Sequence, residues 1–417
     1  MRKSEERKDV LICGVNGFTA QKLLEYIVEK RPEMTLGVTC RSEEKLSRVF
    51  EEVSVKSRNA KALSRVEKHI TGVDSIKALA RICEGYSVII NCIGPFAKTG
   101  LSVIEATIQA RSNYIDCSGE PGFIQDSIDL FQEKAQEAGS IVVHACGFDS
   151  LPIDIGIVHT VQEAERNGGI VDSAESYMHL KGARINLGTF KTIICSLESA
   201  RAGRRKKKLP EKKIAEEEKK KKKKSVRKFP FFSPQVGMYA VLFPGSDSFV
   251  VRRTRVLLGS AYPICHCYIS FFSALDVLGV LFLALVIGAV YLLPSRLREA
   301  AYECVDVLTF GRVRSEGPTQ EEIASSEFRT QILAEGKNAE GEEVTYKTVV
   351  SGPDPGYVTT PIALLASAET ILEGLRTEPR KGGVYTPGAA FVGTQIVQRL
   401  VKEGISFCTE TRQRKTR

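Results

Sequence analysis

The stretch Gly14-Val15-Asn16-Gly17-Phe18-Thr19-Ala20 interrupts an apolar run that starts at Val10, and apolar residues resume after it at helical spacing. Strand, glycine turn and helix in that order form the mouth of a dinucleotide site. Gly14 lets the chain turn sharply off the strand, Gly17 lets the backbone approach a pyrophosphate, and Ala20 lets the helix pack close to the sheet. Free N–H groups at the helix start, aided by the helix dipole, meet the phosphate charge, so Asn16, Phe18 and Thr19 join the candidate cofactor residues. The same spacing predicts a second strand tipped by an acidic residue for a ribose hydroxyl or a basic one for a 2′-phosphate. Residues 34–39 read as that strand and run into Cys40-Arg41-Ser42, with Lys45 one helical turn further and no Asp or Glu at the tip. An acidic side chain would repel a 2′-phosphate, whereas a guanidinium grips it through paired charge-assisted bonds. The chemistry points to NADP, with NAD as the alternative; the competing reading makes Arg41 and Lys45 only the solvated start of a helix.

Three later strand ends carry small or polar residues. A mostly apolar strand over 87–92 ends in Asn91-Cys92-Ile93-Gly94-Pro95-Phe96, a strand over 114–117 in Ser118-Gly119-Glu120-Pro121, and a strand over 140–145 in Gly147-Phe148-Asp149-Ser150-Leu151-Pro152. Asn91, Gly94 and Pro95 stand where a strand's carboxyl end opens onto a cofactor crevice, close to ribose and nicotinamide. Hydride transfer needs the nicotinamide held flat against a substrate and a proton donor or electrostatic partner for developing charge. Tyr114, Asp116, Ser118, Glu120, Asp149 and Ser150 are the candidates for that role, although Asp116 and Asp149 are equally suited to helix caps and Ser118-Gly119 to a plain turn. The five histidines (His69, His144, His159, His179 and His266) lack metal-ligand spacing, and His144 in an apolar strand reads as a satisfied core residue. Eleven cysteines show no repeated C-x-x-C, which excludes a zinc framework and suits small buried side chains in a reducing compartment. No metal is expected.

These ends need a scaffold of alternating elements. A strand over 66–70 and helices over 75–82, 100–110 and 123–138 complete an alternation that implies a parallel sheet covered on both faces. The expected fold is α/β. Residues 1–150 form a Rossmann-type doubly wound dinucleotide-binding domain and 151–380 a second mixed α/β domain, while 381–417 is a closing segment that packs back on the first. A chain of 417 residues with 43% apolar content can bury cores of that size.

The formal net charge of +9 is localised: residues 201–228 hold sixteen Lys or Arg and four Glu, which leaves the rest mildly acidic. This Lys-rich insertion is too polar to pack and is expected to be disordered; its functional readings are an anionic membrane surface, a nuclear address or nucleic acid. It lacks the interleaved aromatics of a single-strand groove, so no nucleic-acid partner is expected. Residues 267–293 contain one charge, Asp276, and 277–293 none, close to the ~20 residues a bilayer span requires. A span would separate the closing segment from the first domain, and Arg252, Arg253, Arg255, Arg296 and Arg298 flank both ends without asymmetry. The expectation is an embedded hairpin bent at Gly279 or Gly288 with both ends on the cytoplasmic face, against a buried core helix as the alternative. Residues 1–9 are charged and lack an apolar signal core, so secretion is not expected.

Taken in order, Gly14-x-x-Gly17-Phe18-Thr19, Asn91 to Phe96, Tyr114-Ile115-Asp116-Cys117-Ser118-Gly119-Glu120-Pro121 and Gly147-Phe148-Asp149-Ser150-Leu151-Pro152-x-Asp154-x-Gly156 resemble the saccharopine dehydrogenase-like oxidoreductases. Bacterial trans-acting enoyl reductases of glycolipid synthesis share the pattern, and Gly382-Gly383-Val384-Tyr385-Thr386-Pro387-Gly388-Ala389-Ala390-Phe391 is similar to the family's closing segment. The resemblance covers nearly the whole chain except the Lys-rich insertion. It implies a Rossmann domain, a second mixed α/β domain, a final segment returning to the first, and an association of eukaryotic members with lipid droplets and membranes. It also implies a tyrosine after Gly-Pro, where this chain has Phe96, and another nearby, where it has Thr99; a mechanism resting on a phenol there is in doubt.

Three function classes follow. The first is an NADP-dependent oxidoreductase reducing a lipid or lipid-linked substrate in lipid or glycolipid metabolism. It would work at the cytoplasmic face of a membrane or lipid droplet, with mitochondrial association and a homodimer as further candidates. The second is a non-catalytic nucleotide-binding lipid-droplet scaffold. The third, a lysine-pathway enzyme acting on saccharopine, ranks last because no residue cluster is dedicated to a multiply charged amino-acid substrate.

Overall fold

The computed structural model describes residues 7–182, 185–201, 226–314, 318–374 and 381–413, and the chain divides into two compact units. In the first unit, β1 (Lys8–Cys13), β2 (Leu36–Cys40), β3 (Glu67–Ile70), β4 (Tyr86–Asn91), β5 (Asn113–Asp116) and β6 (Ile141–Val143) form one sheet with a seventh strand, Gly383–Tyr385. Its order is β3-β2-β1-β4-β5-β6 followed by Gly383–Tyr385, and every pairing is parallel. Val10, Leu11 and Ile12 of β1 and Val88, Ile89 and Ile90 of β4 are fully buried, as central strands covered on both faces must be. The strand order reverses between β1 and β4, the place where a doubly wound sheet opens its ligand crevice.

The connecting helices are α1 (Phe18–Lys30), α2 (Glu43–Lys56), α3 (Ala60–Ser64), α4 (Ile76–Cys83), α5 (Phe96–Gln109) and α6 (Pro121–Ala138). Two begin earlier than the apolar spacing predicts. Pro121 sits in the first turn of α6, where its missing N–H costs nothing, and α5 starts at Phe96 because a carboxylate from the next connection receives its first amides.

The closing segment returns to the first unit only as far as residue 406; the Ser406–Gln413 strand instead edges the mixed sheet of the second unit, beside Glu343–Pro353. Gly383 N–H donates to Ser140 O at 2.9 Å and Val384 N–H to Gln132 Oε1 at 3.1 Å. A Cβ at Gly382 would stand 2.2 Å from Ala135 O, so only glycine passes the end of α6 there. Gly388 N–H donates 2.7 Å to Asp154 Oδ2, a fully buried carboxylate in the Leu151–Arg166 helix. The return starts earlier than residue 381: the first unit comprises 1–155 and 352–406, because the Thr360–Gly374 helix packs against α1, β4 and β5.

The second unit comprises 156–351 and 407–417 and holds a mixed seven-stranded sheet. Its central Ile170–Lys181 strand pairs antiparallel with Glu327–Lys337 and parallel with Ile264–Phe271. Residues 202–225, most of the Lys-rich block, lie outside the described residues.

The apolar segment corrects one expectation. Residues Ala274–Leu292 form a single unbroken helix, with no turn-back at Gly279 or Gly288. One glycine costs a helix only ~1 kcal/mol. Here Leu283, Val286, Ile287, Val290 and Tyr291 anchor the helix against Phe190, Ile194, Ala301, Tyr302 and Val305.

Candidate functional site

The turn after β1 is shaped for close approach. Gly14 has φ +83°, and a Cβ there would meet Ile93 Cγ1 at 2.5 Å, so a side chain is excluded by both conformation and space. Gly14 and Val15 N–H donate to Thr39 O at 3.2 and 3.1 Å, and Gly17 N–H donates to Gly14 O at 2.9 Å. Helix α1 then opens with Gly17 as its N-cap and no side chain capping it, which leaves first-turn amides for an anion. By contrast, Ser42 caps α2 and Ser75 caps α4. Ala20 is fully buried, as close helix–sheet packing demands. Asn16 is exposed, and its Oδ1 accepts from Cys40 Sγ at 3.7 Å. Thr19 is half-buried, while the Phe18 ring packs edge-on against Tyr357 at 4.7 Å.

At the end of β2, Arg41 is exposed, and its stem lies 3.5 Å from where a Cβ of Gly72 would stand. Among the described residues no hydrogen bond or ion pair engages the side chain of Arg41 or of Lys45. Lys45 contributes its backbone N–H to Ser42 Oγ. The corner therefore presents two cations in reach of water beside the glycine turn, suited to an incoming phosphate.

Behind the crevice the ends of β4, β5 and β6 are locked by a buried polar network. Tyr114 O–H donates to Asp116 Oδ2 at 2.9 Å and accepts from Asn91 Nδ2 at 3.0 Å; His144 Nδ1 lies 2.7 Å from the same Asp116 oxygen, and its Nε2 2.8 Å from Ser127 Oγ. Asp116 Oδ1 accepts from Ser118 and Ala145 N–H, both at 3.0 Å. Asn91, Tyr114, Asp116, Ser127 and His144 have no exposed surface. Burial, then the Asp116 charge, holds the Tyr114 phenol well above the usual tyrosine range, so it stays a donor.

The structure thus places the expected residues in different settings. Asn91 and Tyr114 belong to the network, and Ser118 Oγ accepts from Glu120 N–H at 3.2 Å in the following turn. Glu120 receives Phe96 and Ala97 N–H at 2.7 and 2.9 Å, capping α5. Gly94 is exposed and Pro95 half-buried at the crevice rim, joined by a cis peptide bond. Asp149 is exposed, and its Oδ2 lies 3.2 Å from where a Cβ of Gly119 would stand. Ser150 is buried with φ +93° and Ala145 has φ +57°, two non-glycine residues in a conformation that costs of order 1–3 kcal/mol each and gathers at functional sites. Sequence reasoning missed Thr39 and Ser127, whose partners come only from strand pairing and helix packing.

Glu120 gives a pH prediction. Desolvation raises its carboxyl above the ordinary value despite the two amides that oppose the shift. The folded state therefore binds this proton more tightly than the unfolded chain, and the associated stability is present below pH ~4.5 and lost as pH rises towards the folded value. Thermal unfolding of Glu120→Gln should lack that decline, so wild type loses stability relative to the variant over this window; parallel curves would contradict it.

Comparison with known proteins fits this geometry. A family sequence model described as the saccharopine dehydrogenase NADP binding domain matches residues 10–143. The chain is 30% identical to the human saccharopine dehydrogenase-like oxidoreductase, over 95% of this chain and 96% of that one. It is 27% identical to a Caenorhabditis elegans lipid droplet localized protein, over 97% and 99%. The apo saccharopine dehydrogenase (L-Glu forming) of Saccharomyces cerevisiae shares the fold, with TM-score 0.59 at 16% identity, covering 97% of this chain and 99% of that one.

Proposed function

The chain belongs to the saccharopine dehydrogenase-like oxidoreductases and binds NADP, and from that premise we propose that it reduces a lipid or lipid-linked substrate at a membrane or lipid-droplet surface. When bound, the cofactor supplies a hydride. The uncapped start of α1 and Gly14, Gly17 and Asn16 hold its pyrophosphate, and Arg41 and Lys45 its 2′-phosphate. Gly94 and Pro95 border the nicotinamide end. Of the candidate proton carriers, Tyr114, Ser118 and Glu120 are committed to internal partners. Exposed Asp149, which follows β6 and approaches Gly119, is the group we assign to hold a proton.

The substrate class rests on one observation: the Ala274–Leu292 helix has a mean hydropathy of 2.5 over its most apolar window, of which only 17% is buried. A water-facing surface of that kind is unusual unless it meets lipid or a partner. The name of the nematode relative agrees with the lipid reading. Purified protein mixed with NADPH and a cellular lipid extract should lose absorbance at 340 nm, and Asp149→Asn should slow that loss while leaving NADPH affinity within about twofold. A second reading, a nucleotide-binding scaffold without turnover, is favoured by Phe96 in place of a phenol and by the sequestered Tyr114. Saturable NADPH binding with no oxidation in any lipid fraction would establish it.

A further inference from the structure

We infer that the Ala274–Leu292 helix lies in the plane of a phospholipid surface, one face fixed to its own unit and the opposite face immersed in a single leaflet. This rests on the lipid-surface reading above and specifies how the surface is engaged. Leu275, Leu278, Phe282, Leu285 and Leu292 recur at three- and four-residue steps and a final seven, so they line one side of the helix. They are apolar and exposed, with Leu275, Leu285 and Leu292 at 75%, 73% and 73%. The other side packs against the buried cluster of its own unit, with Val290 buried and Leu283, Val286 and Ile287 half-buried. A spanning helix needs hydrocarbon around its free sides along its whole length. This one is tied side-on to the Leu187–Arg201 and Ser295–Glu303 helices, which carry Lys191 and the Arg298–Glu198 ion pair, and crossing the bilayer would carry those charges into hydrocarbon.

The surroundings match headgroups. Phe310, 80% exposed, extends the stripe by packing on Phe282 at 5.6 Å. The exposed Arg312 guanidinium lies over Gly279, close enough that a Cβ there would clash with it, and Arg296 is exposed beyond the helix end; such side chains bury their stems and extend their charge to the interface. In sequence the Lys-rich block follows Leu187–Arg201, the helix that contributes Phe190 and Ile194 to the anchoring cluster.

The chain contains no tryptophan, so Leu278→Trp, Leu285→Trp and Leu292→Trp each introduce a single fluorophore. With phosphatidylcholine–phosphatidylserine vesicles carrying bromine at defined acyl depths, all three should be quenched maximally at the same shallow depth. Depth changing by ~10 Å between successive positions, the rise of seven helical residues, would mean a span and overturn the inference. Leu278→Asp/Leu285→Asp should lower vesicle flotation at least ~10-fold while retaining NADPH binding. Undiminished flotation, or conversion of a dimer to a monomer with flotation unchanged, would also overturn it and make this face a contact between copies. Failure of wild type to float at all would instead remove the lipid-surface reading, whereas flotation without NADPH oxidation would leave the in-plane helix standing.

Discussion

Arg41→Glu is expected to weaken NADPH binding by about 30-fold or more while changing NADH affinity by no more than about threefold. The magnitude follows from replacing a charge-assisted contact to phosphate, worth ~1.5–3 kcal/mol, with a repelling carboxylate. The selectivity follows from position. Arg41 stands at the end of β2, one strand away from the glycine turn proposed for the pyrophosphate, and its side chain has no internal partner among the described residues. Removing it therefore breaks nothing in the fold, and thermal stability should be unchanged. Because the contact is electrostatic and exposed, the preference for NADPH should also shrink as salt is raised. Equal losses for the two nucleotides would remove Arg41 from the 2′-phosphate and return it to the role of a solvated helix start.

Asp116→Ala should destabilise the protein by ~3–5 kcal/mol, the range for breaking a buried charged network at one member. The carboxylate gathers the Tyr114 hydroxyl, His144 Nδ1 and the Ser118 and Ala145 amides, and none of these side chains reaches water. Truncation leaves several buried donors unpaired at once, each costing ~1–3 kcal/mol where solvent cannot replace the partner. For a unit of this size each kcal/mol lowers Tm by ~2–4 °C, so the change is large in calorimetry. Asp116→Asn keeps the shape and one acceptor oxygen and should lose less. A loss below ~1 kcal/mol for Asp116→Ala would mean that water enters the network and that the carboxyl ends of β4, β5 and β6 are less rigid than the structure implies.

Much of the first unit was legible because its signals are local. The apolar β1 followed by Gly14 and Gly17, the strand ends at Asn91 and Asp116, and Pro121 at a helix start each encode their own geometry in adjacent residues. The Gly382-Gly383 step was legible as a motif, but its reason is tertiary: the strand must pass within contact of Ala135 and Gly139 at the end of α6. Candidate catalytic residues were harder to sort. Tyr114, Ser118 and Glu120 have types suited to chemistry, and only the folded chain reveals that their polar atoms serve Asp116, the following turn and α5. His144 was read correctly as a core residue, although its bridge between Asp116 and Ser127 depends on a parallel register and a helix face absent from any local pattern. The apolar stretch was visible as composition, and the need to keep both its flanks on one side of a membrane suggested a hairpin at either glycine. What the sequence could not display is that one side of the unbroken helix packs against Phe190, Ile194 and Tyr302.

The account as a whole depends on a nicotinamide nucleotide seated across the start of α1 with its 2′-phosphate at Arg41. The most direct test is titration of the intact chain with NADPH and with NADH, followed by cofactor fluorescence and by calorimetry. Saturable binding of NADPH at one site, at least about tenfold tighter than NADH, is the predicted result. A folded chain with no measurable affinity for either nucleotide would contradict it.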